Sequence, residues 1–342
     1  MNKKWPIAIS LISVLLLSAG VFIAINLINT QTNLNNKKEQ IAGLQKNNQE
    51  KKDIVVLKSD VATNVLAQKP KVEESVVEKF TPKDKVSIPV LMYHHISNLD
   101  WIPPSDAIGI GLRVSPDIFE RHLQQIQSRK FSTITSEDLY NYRQGLKQLP
   151  EKPIMITVDD GYEDNYTKAF PLLKKYNMKA DFAIITGFIG QNDYMTWDQV
   201  KDLKKQGMDI SSHTVHHCYL AVKDKNTATG FASSLVSNKE NMQCPEFNFG
   251  GKLDTAQIKG ELEASKKELE KQIGQPVYSI VYPFGNYNEQ VEKIAADLGY
   301  KFGFTVKPQN MSKDVDFNSA FSIPRTRVNC QQKGNLFGFF QI

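Results

Sequence analysis

Pro153-Ile154-Met155-Ile156-Thr157-Val158-Asp159-Asp160-Gly161 is the stretch on which the reading of this chain turns. Its apolar, β-branched body reads as a buried strand that runs out into two adjacent carboxylates and a glycine. Successive side chains of an extended segment point to opposite faces, so Asp159 and Asp160 can serve one site only where the backbone turns. Gly161 is the residue expected to supply that turn. Two carboxylates brought together at the mouth of a sheet sit in different environments and take different tasks, one binding a cation and the other handling protons. The same letters also describe an ordinary strand closed by an Asp-Gly turn, and the rest of the chain decides between the two.

Outward from this stretch, strands alternate with amphipathic helices from about residue 86 onward. Strands are expected at 90–93, 131–134, 154–158, 180–185, 209–212, 277–282, 302–306 and 322–328. Between them, Ser115-Pro116-Asp117 opens a helix whose buried stripe is Phe119, Leu123 and Ile126. Further helices start at Ser136, carry Phe170, Leu172 and Leu173, cover 197–205 and 255–273, and end at 289–298 against Gly299. This alternation argues for parallel strands with crossover helices, and about seven units argue for closure into a barrel. A doubly wound open sheet is the competing architecture, but no Gly-x-Gly-x-x-Gly follows any strand, so nucleotide binding has no support. In either architecture the polar residues that end the strands converge on one face.

The 342 residues allow one large domain with appendages. The formal net charge of +5 suits an anionic surface, yet no Lys/Arg block with interleaved aromatics points to nucleic acid. Lys3 and Lys4 precede an apolar run over 5–28, longer than the core of a cleavable signal and long enough to cross a bilayer. Ser18-Ala19-Gly20 resembles a cleavage site, but the apolar run continues through it. The reading is an uncleaved anchor over 1–29, with the N-terminus in the cytoplasm and the bulk outside the cell membrane. Residues 30–82, rich in Asn, Gln, Lys and Glu, read as a flexible or partly helical stalk, and 83–342 as the catalytic domain. Cys218, Cys244 and Cys330 fit neither a disulfide framework nor a Cys-x-x-Cys metal site; three free thiols are expected, with a Cys218–Cys244 pair as the alternative.

Five of the six histidines fall in two clusters. His213 and His217 follow a strand and are four apart, so one helical turn would bring both rings to one side. Two imidazoles and a carboxylate, for which Asp160 is the candidate, are a common ligand set for Zn²⁺ or Fe²⁺ with positions left open for water and substrate.

Thr157-Val158-Asp159-Asp160-Gly161, Ser212-His213-Thr214-x-x-His217 and Tyr282-Pro283-Phe284-Gly285, in that order, resemble the successive motifs of the polysaccharide deacetylases, the NodB-homology family or carbohydrate esterase family 4. The resemblance runs over 90–328 and includes Thr196-Trp197 and Ser265-Lys266-x-x-Leu269. It implies a distorted (β/α)7 barrel and metal-dependent hydrolysis of N-acetylated sugars, with Zn²⁺ the expected cofactor. Asp160, His213 and His217 would hold the metal, Asp159 would be the general base, and a backbone N–H near Phe284 would face the oxyanion. Tyr282, in the third motif, is a substrate-side candidate, and Trp197 could stack on a sugar ring, although an aromatic at the start of a helix is more often core.

Two departures bear on the proton donor and on the base. No histidine follows His217, so the family's late Leu-x-His motif is absent. Val90-Leu91-Met92-Tyr93-His94 resembles the first strand of the circularly permuted subgroup that includes poly-N-acetylglucosamine deacetylases, which makes His94, rather than His95, the expected general acid. The usual motif arginine falls on Val281, leaving Arg325 and Arg327 as candidates to orient the base. His216 is expected beside the site or in solvent, and Cys218 in packing. The segments 100–111 and 219–253 are longer than a barrel needs and are where substrate contacts are expected. The function so implied is de-N-acetylation of N-acetylglucosamine in a cell-envelope glycan: peptidoglycan, poly-N-acetylglucosamine or a wall-polysaccharide linkage unit. The alternatives are an O-acetyl esterase and a catalytically silent glycan-binding domain.

Overall fold

The computed structural model of the protein describes residues 79–100, 102–103, 105–220, 253–306, 314–329 and 335–337. The expected anchor, nearly all of the expected stalk, Cys244, Cys330 and most of the segment 219–253 lie outside these residues. Among the described residues no helix is long and apolar enough to cross a membrane.

In chain order the elements are β1 (Lys85–Ser87), β2 (Val90–Tyr93), β3 (His95–Ile96), α1 (Ala107–Gly111), β4 (Arg113–Val114), α2 (Pro116–Ser128), β5 (Ser132–Ile134), α3 (Ser136–Arg143) and β6 (Pro153–Val158). They continue with α4 (Phe170–Lys175), β7 (Asp181–Ile184), α5 (Trp197–Lys205), β8 (Asp209–Ser212), α6 (Thr255–Ile273), β9 (Ser279–Val281), α7 (Glu289–Asp297), β10 (Phe302–Val306), β11 (Asp314–Asp316) and β12 (Ile323–Arg327). The sequence places the barrel strands and helices α2 to α7 within a few residues of these bounds.

Seven of the strands close a ring, all parallel, in the order β2-β6-β7-β8-β9-β10-β12 and back to β2. The strand that distorts the ring is β5. Met155 pairs with both Ile134 and Val90, and Val158 with both Phe182 and Tyr93. Hence β5 and β7 share one edge of β6, β5 along its first half and β7 along its second. Ring closure by β12 beside β2 settles the architecture as a (β/α)7 barrel rather than an open sheet.

Every residue of β2, β6, β7, β8 and β9 is buried, as barrel strands covered on both faces require. Alternation then sorts them. Ile154, Ile156 and Val158 of β6 pack outward with Phe119, Leu173, Val200 and Leu262 beneath the helices, whereas Met155 joins Val281, Phe302, Phe304 and Ile323 inside the barrel. The helices begin where the sequence signals. Thr135, Thr196 and Asp254 close capping boxes with Asp138, Gln199 and Gln257, and Gly274 at φ 67° ends α6.

One buried histidine lies outside the two clusters. His122 on α2 is fully buried, with Nδ1 3.2 Å from the Tyr93 hydroxyl, and burial pushes its imidazole down to about 4. The unfolded chain therefore takes up a proton near pH 6.5 that the folded chain refuses until about pH 4. The contribution of this residue is intact above pH 6.5 and is lost as pH falls toward 4, by about 3 kcal/mol. Comparing urea midpoints at pH 7 and pH 4.5 should show a smaller acid loss in His122→Gln than in the wild type. Equal losses would rule out this residue as a source of acid sensitivity.

Candidate active site and metal centre

The same alternation that sorts the core delivers the polar side chains. On β6 the inward set Met155, Thr157 continues to Asp159; on β8, Ser211 continues to His213; on β12, Ile323 continues to Arg325 and Arg327; and β2 continues to His94. All of these are at the C-terminal ends of parallel strands, where a barrel gathers its chemistry. A cavity of about 210 Å³ opens there, bordered by Asp159, Asp160, His94, His213, His217 and Arg325 among others.

Asp160 follows Asp159 directly and would point away on an extended chain. It returns to the site because its own φ is 77°, followed by Gly161 at 79°. The turn expected of the glycine alone is thus shared by the aspartate. Among the described residues seven non-glycine residues adopt left-handed φ values, and four of them, Asp160, Thr214, His217 and Phe284, stand in the loops that meet at this cavity. Such conformations cost about 1–3 kcal/mol each and concentrate at functional sites.

Asp160, His213 and His217 offer one ligand atom apiece, all within 4.8 Å of one another. His213 Nε2 is 3.2 Å and His217 Nε2 3.5 Å from Asp160 Oδ1, and the two nitrogens are 3.1 Å apart. His213 Nδ1 lies 2.7 Å from the Val281 carbonyl, which fixes the proton on Nδ1 and leaves the Nε2 lone pair facing the carboxylate. Asp160 Oδ1 is buried and accepts no aligned hydrogen bond. Burial and the neighbouring His213 hold His217 far down, at about 3, so its ring is neutral at pH 7. Burial would raise the Asp160 carboxyl, but His213, His94 and His217 together hold it well below the usual range. Three proton-free donor atoms therefore converge on one point with nothing between them, an arrangement a divalent cation fits.

Asp159 is held differently. Arg325 Nη1 and Nη2 donate to its two oxygens at 2.7 and 2.8 Å, and Nη1 also donates to Thr157 Oγ1 at 2.9 Å. Both partners are almost wholly buried. Burial would raise the Asp159 carboxyl, but the charge and fork of Arg325, with smaller effects of His94 and His213, outweigh it and keep it ionised. Of the two candidate arginines, Arg325 is the one that grips Asp159. Val281, at the motif arginine's position, contributes its backbone carbonyl to His213 instead.

His94 Nε2 lies 3.9 Å from Asp159 Oδ2, and its Nδ1 is buried without a hydrogen-bond partner. Burial pushes the ring down to about 4, partly countered by Asp160 and Asp159. Its neighbour His95 is elsewhere: it stacks on Tyr162 at 3.6 Å and pairs with Asp164 at 2.8 Å. Arg327 borders the cavity beside Arg325. Phe284 also borders it, with its ring 4.6 Å from that of His217 and stacked on Tyr219. From the long segment after β3, Ile108 and Leu112 reach the cavity, because β3 and β4 pair and fold the intervening residues over the barrel mouth.

Two expected substrate residues are corrected. Trp197 does not border the cavity; in the first turn of α5 its ring is half-buried against the core beneath the helices. Tyr282 lies at the cavity edge, but its side chain points outward, as alternation after Val281 dictates, into the core, stacked on Tyr287. Its hydroxyl approaches Gly303 so closely that any Cβ there would collide with it. The expectation of free thiols is also overturned for Cys218, which is buried and disulfide-bonded to a cysteine outside the described residues.

Sequence reasoning missed Glu261. Its Oε2 accepts the backbone N–H groups of Val215 and His216 at 3.0 and 2.9 Å, and its Oε1 lies 2.6 Å from His216 Nδ1. The signal was available: Glu261 stands one helical turn before Ser265, on the same face of α6, and the Ser265 hydroxyl meets that of Ser212 at 2.8 Å, next to His213.

A family model described as polysaccharide deacetylase matches residues 146–303. YxkH of Bacillus subtilis (strain 168), a protein named as a polysaccharide deacetylase, is 31% identical over 253 residues, covering 74% of this chain and 75% of its own. The poly-β-1,6-N-acetyl-D-glucosamine N-deacetylase of Staphylococcus aureus (strain MSSA476) is 25% identical over 222 residues, covering 63% of this chain and 68% of its own. Among solved structures, the Streptococcus pyogenes deacetylase PplD in complex with acetate superposes with a TM-score of 0.58 at 29% identity, covering 75% of this chain and 99% of that one.

Proposed function

This chain belongs to the polysaccharide deacetylases, hydrolases of the amide bond of N-acetylated sugars, and on that premise we propose that it is a metal-dependent de-N-acetylase acting on N-acetylglucosamine residues of a cell-envelope glycan. The observation that carries the reading is the division of labour within Asp159-Asp160: one carboxylate among proton-free imidazole nitrogens, the other locked and ionised by Arg325. The Staphylococcus aureus relative, named for poly-β-1,6-N-acetyl-D-glucosamine, supports the choice of sugar.

Asp160, His213 and His217 would hold the cation, for which Zn²⁺ suits two imidazoles and a carboxylate. Bound there, it would supply Lewis acidity that polarises the amide carbonyl and acidifies water. Asp159 takes the proton from the attacking water; its ionisation and direction are set in advance by Arg325. His94, the remaining imidazole at the cavity and 3.9 Å from Asp159, receives that proton from Asp159 and passes it to the departing amine as the C–N bond breaks. Burial keeps His94 neutral at rest, and negative charge developing on the attacked carbonyl raises its affinity for a proton. Phe284 borders the cavity, and its backbone N–H would face that same charge. Ile108 and Leu112 exclude water from the mouth and bound the space for the acetyl methyl.

The apolar run over 5–28 and its flanking lysines support a membrane anchor with the catalytic domain outside the cell, and a disulfide at Cys218 accords with an oxidising compartment. Acetate release should be measured on poly-N-acetylglucosamine, peptidoglycan and O-acetylated xylan. Release from N-acetylated glycans, abolished by a chelator and restored by Zn²⁺, is expected. Undiminished release after exhaustive chelation would defeat the metal requirement, and release from xylan alone would favour an O-acetyl esterase.

A further inference from the structure

We infer that Glu261 is a positioning residue that sets the geometry of the cation site from outside it, by holding the loop between His213 and His217. The inference rests on the reading of Asp160, His213 and His217 as the ligands. A loop carrying two ligands at its ends must have a fixed backbone path, and here each N–H from His213 to His217 has an acceptor. His213 N donates to the Ile184 carbonyl at 2.9 Å, Thr214 N to Ser212 Oγ at 3.4 Å, and His217 N to Thr214 Oγ1 at 2.9 Å. The two in the middle, Val215 and His216, both go to Glu261 Oε2.

The opposite edge of the loop is pinned as well. Thr186 N and Gly187 N donate to the Thr214 and Val215 carbonyls at 3.1 and 3.0 Å, an approach so close that a Cβ on Gly187 would stand 2.6 Å from the Val215 oxygen. The loop is therefore clamped between residues 186–187 and one carboxylate. The residues Glu261 grips lie between the two left-handed positions, Thr214 at φ 66° and His217 at φ 58°, whose combination swings both Nε2 atoms to 3.1 Å from each other. Conformations of that kind persist only where surrounding contacts over-determine them. Glu261 is 11% exposed, and its second oxygen is taken by the His216 ring, which turns that imidazole away from Asp160. A charged acceptor makes these bonds strong, so their loss releases the path that aims His217.

Equilibrium Zn²⁺ affinity, read by competition with a chromogenic chelator, tests this. Glu261→Ala is expected to weaken binding about 10–100-fold. Glu261→Gln keeps an oxygen for the two N–H groups and is expected to lose less, several-fold. Glu263→Ala, on α6 and paired with Lys267, should change nothing. The thermal midpoint of the metal-free protein is measured alongside, because a merely structural tie would lower that midpoint and leave the affinity of the folded protein unmoved. That result, wild-type affinity in folded Glu261→Ala, overturns the inference while sparing the metal reading. A wild-type protein with no Zn²⁺ site that His213→Ala removes overturns both. Should the alanine variant not fold, Glu261→Gln decides, with wild-type affinity again overturning the inference.

Discussion

Replacing Asp159 by asparagine is expected to lower kcat for acetate release by about 10²–10⁴-fold, with Zn²⁺ affinity close to that of the wild type. Asparagine preserves the shape of the carboxylate and one acceptor for Arg325, but it cannot take a proton from water. The separation of the two effects is the point of the measurement. Asp159 lies beside the candidate ligand Asp160, yet its oxygens are engaged by a guanidinium at 2.7 and 2.8 Å and not by the imidazoles. Steady-state release from an N-acetylglucosamine oligomer, run with Zn²⁺ titrations of the same samples, distinguishes a base from a ligand. A variant within tenfold of wild-type kcat would remove Asp159 from the chemistry; one that loses Zn²⁺ would make it a ligand.

Arg325→Met is expected to destabilise the protein by about 3–5 kcal/mol, the cost of leaving a buried carboxylate without its partner. The side chain of Arg325 is fully buried and that of Asp159 nearly so, so water cannot replace the lost bonds. Activity should fall with stability, since the fork both ionises the base and aims it. Denaturant unfolding of the single variant and of Arg325→Met with Asp159→Asn makes the argument specific. Removing the charge along with its partner should recover a large part of the loss. A single variant within about 1 kcal/mol of the wild type would mean that the pair is not the buried unit described here.

The barrel was legible because each of its signals is local. Apolar, largely β-branched runs such as 154–158, caps such as Thr135 and Thr196, and Gly274 after a 19-residue helix each announce an element without reference to the rest. The candidate ligands were legible for a related reason: His213 and His217 are close in sequence, and Asp160 ends a strand. What escaped was set by distance or by side-chain direction. Nothing local in Ile323-Pro324-Arg325-Thr326-Arg327 tells which arginine meets Asp159, because the register of β12 against β2 and β10 decides it. Trp197 and Tyr282 were misplaced because a motif residue beside a site can face either way. Strand alternation turns Tyr282 into the core, and the first turn of α5 does the same to Trp197. Glu261 was missed because two of its three bonds go to backbone N–H groups, and only its spacing from Ser265 on α6 marks it in the letters of the sequence.

The pairing of Asp159 with a residue 166 positions further on has a bearing on how this enzyme comes into being. The arginine sits on the strand that closes the ring, between β10 and β2, so it arrives when nearly all of the domain has been synthesised. A chain still emerging from the ribosome already carries Asp159, Asp160, His213 and His217, but not Arg325, which grips Asp159. On the proposed reading, hydrolytic competence is thereby deferred until β12 has been made. Premature termination before β12 is then expected to yield an inert product rather than an unregulated one.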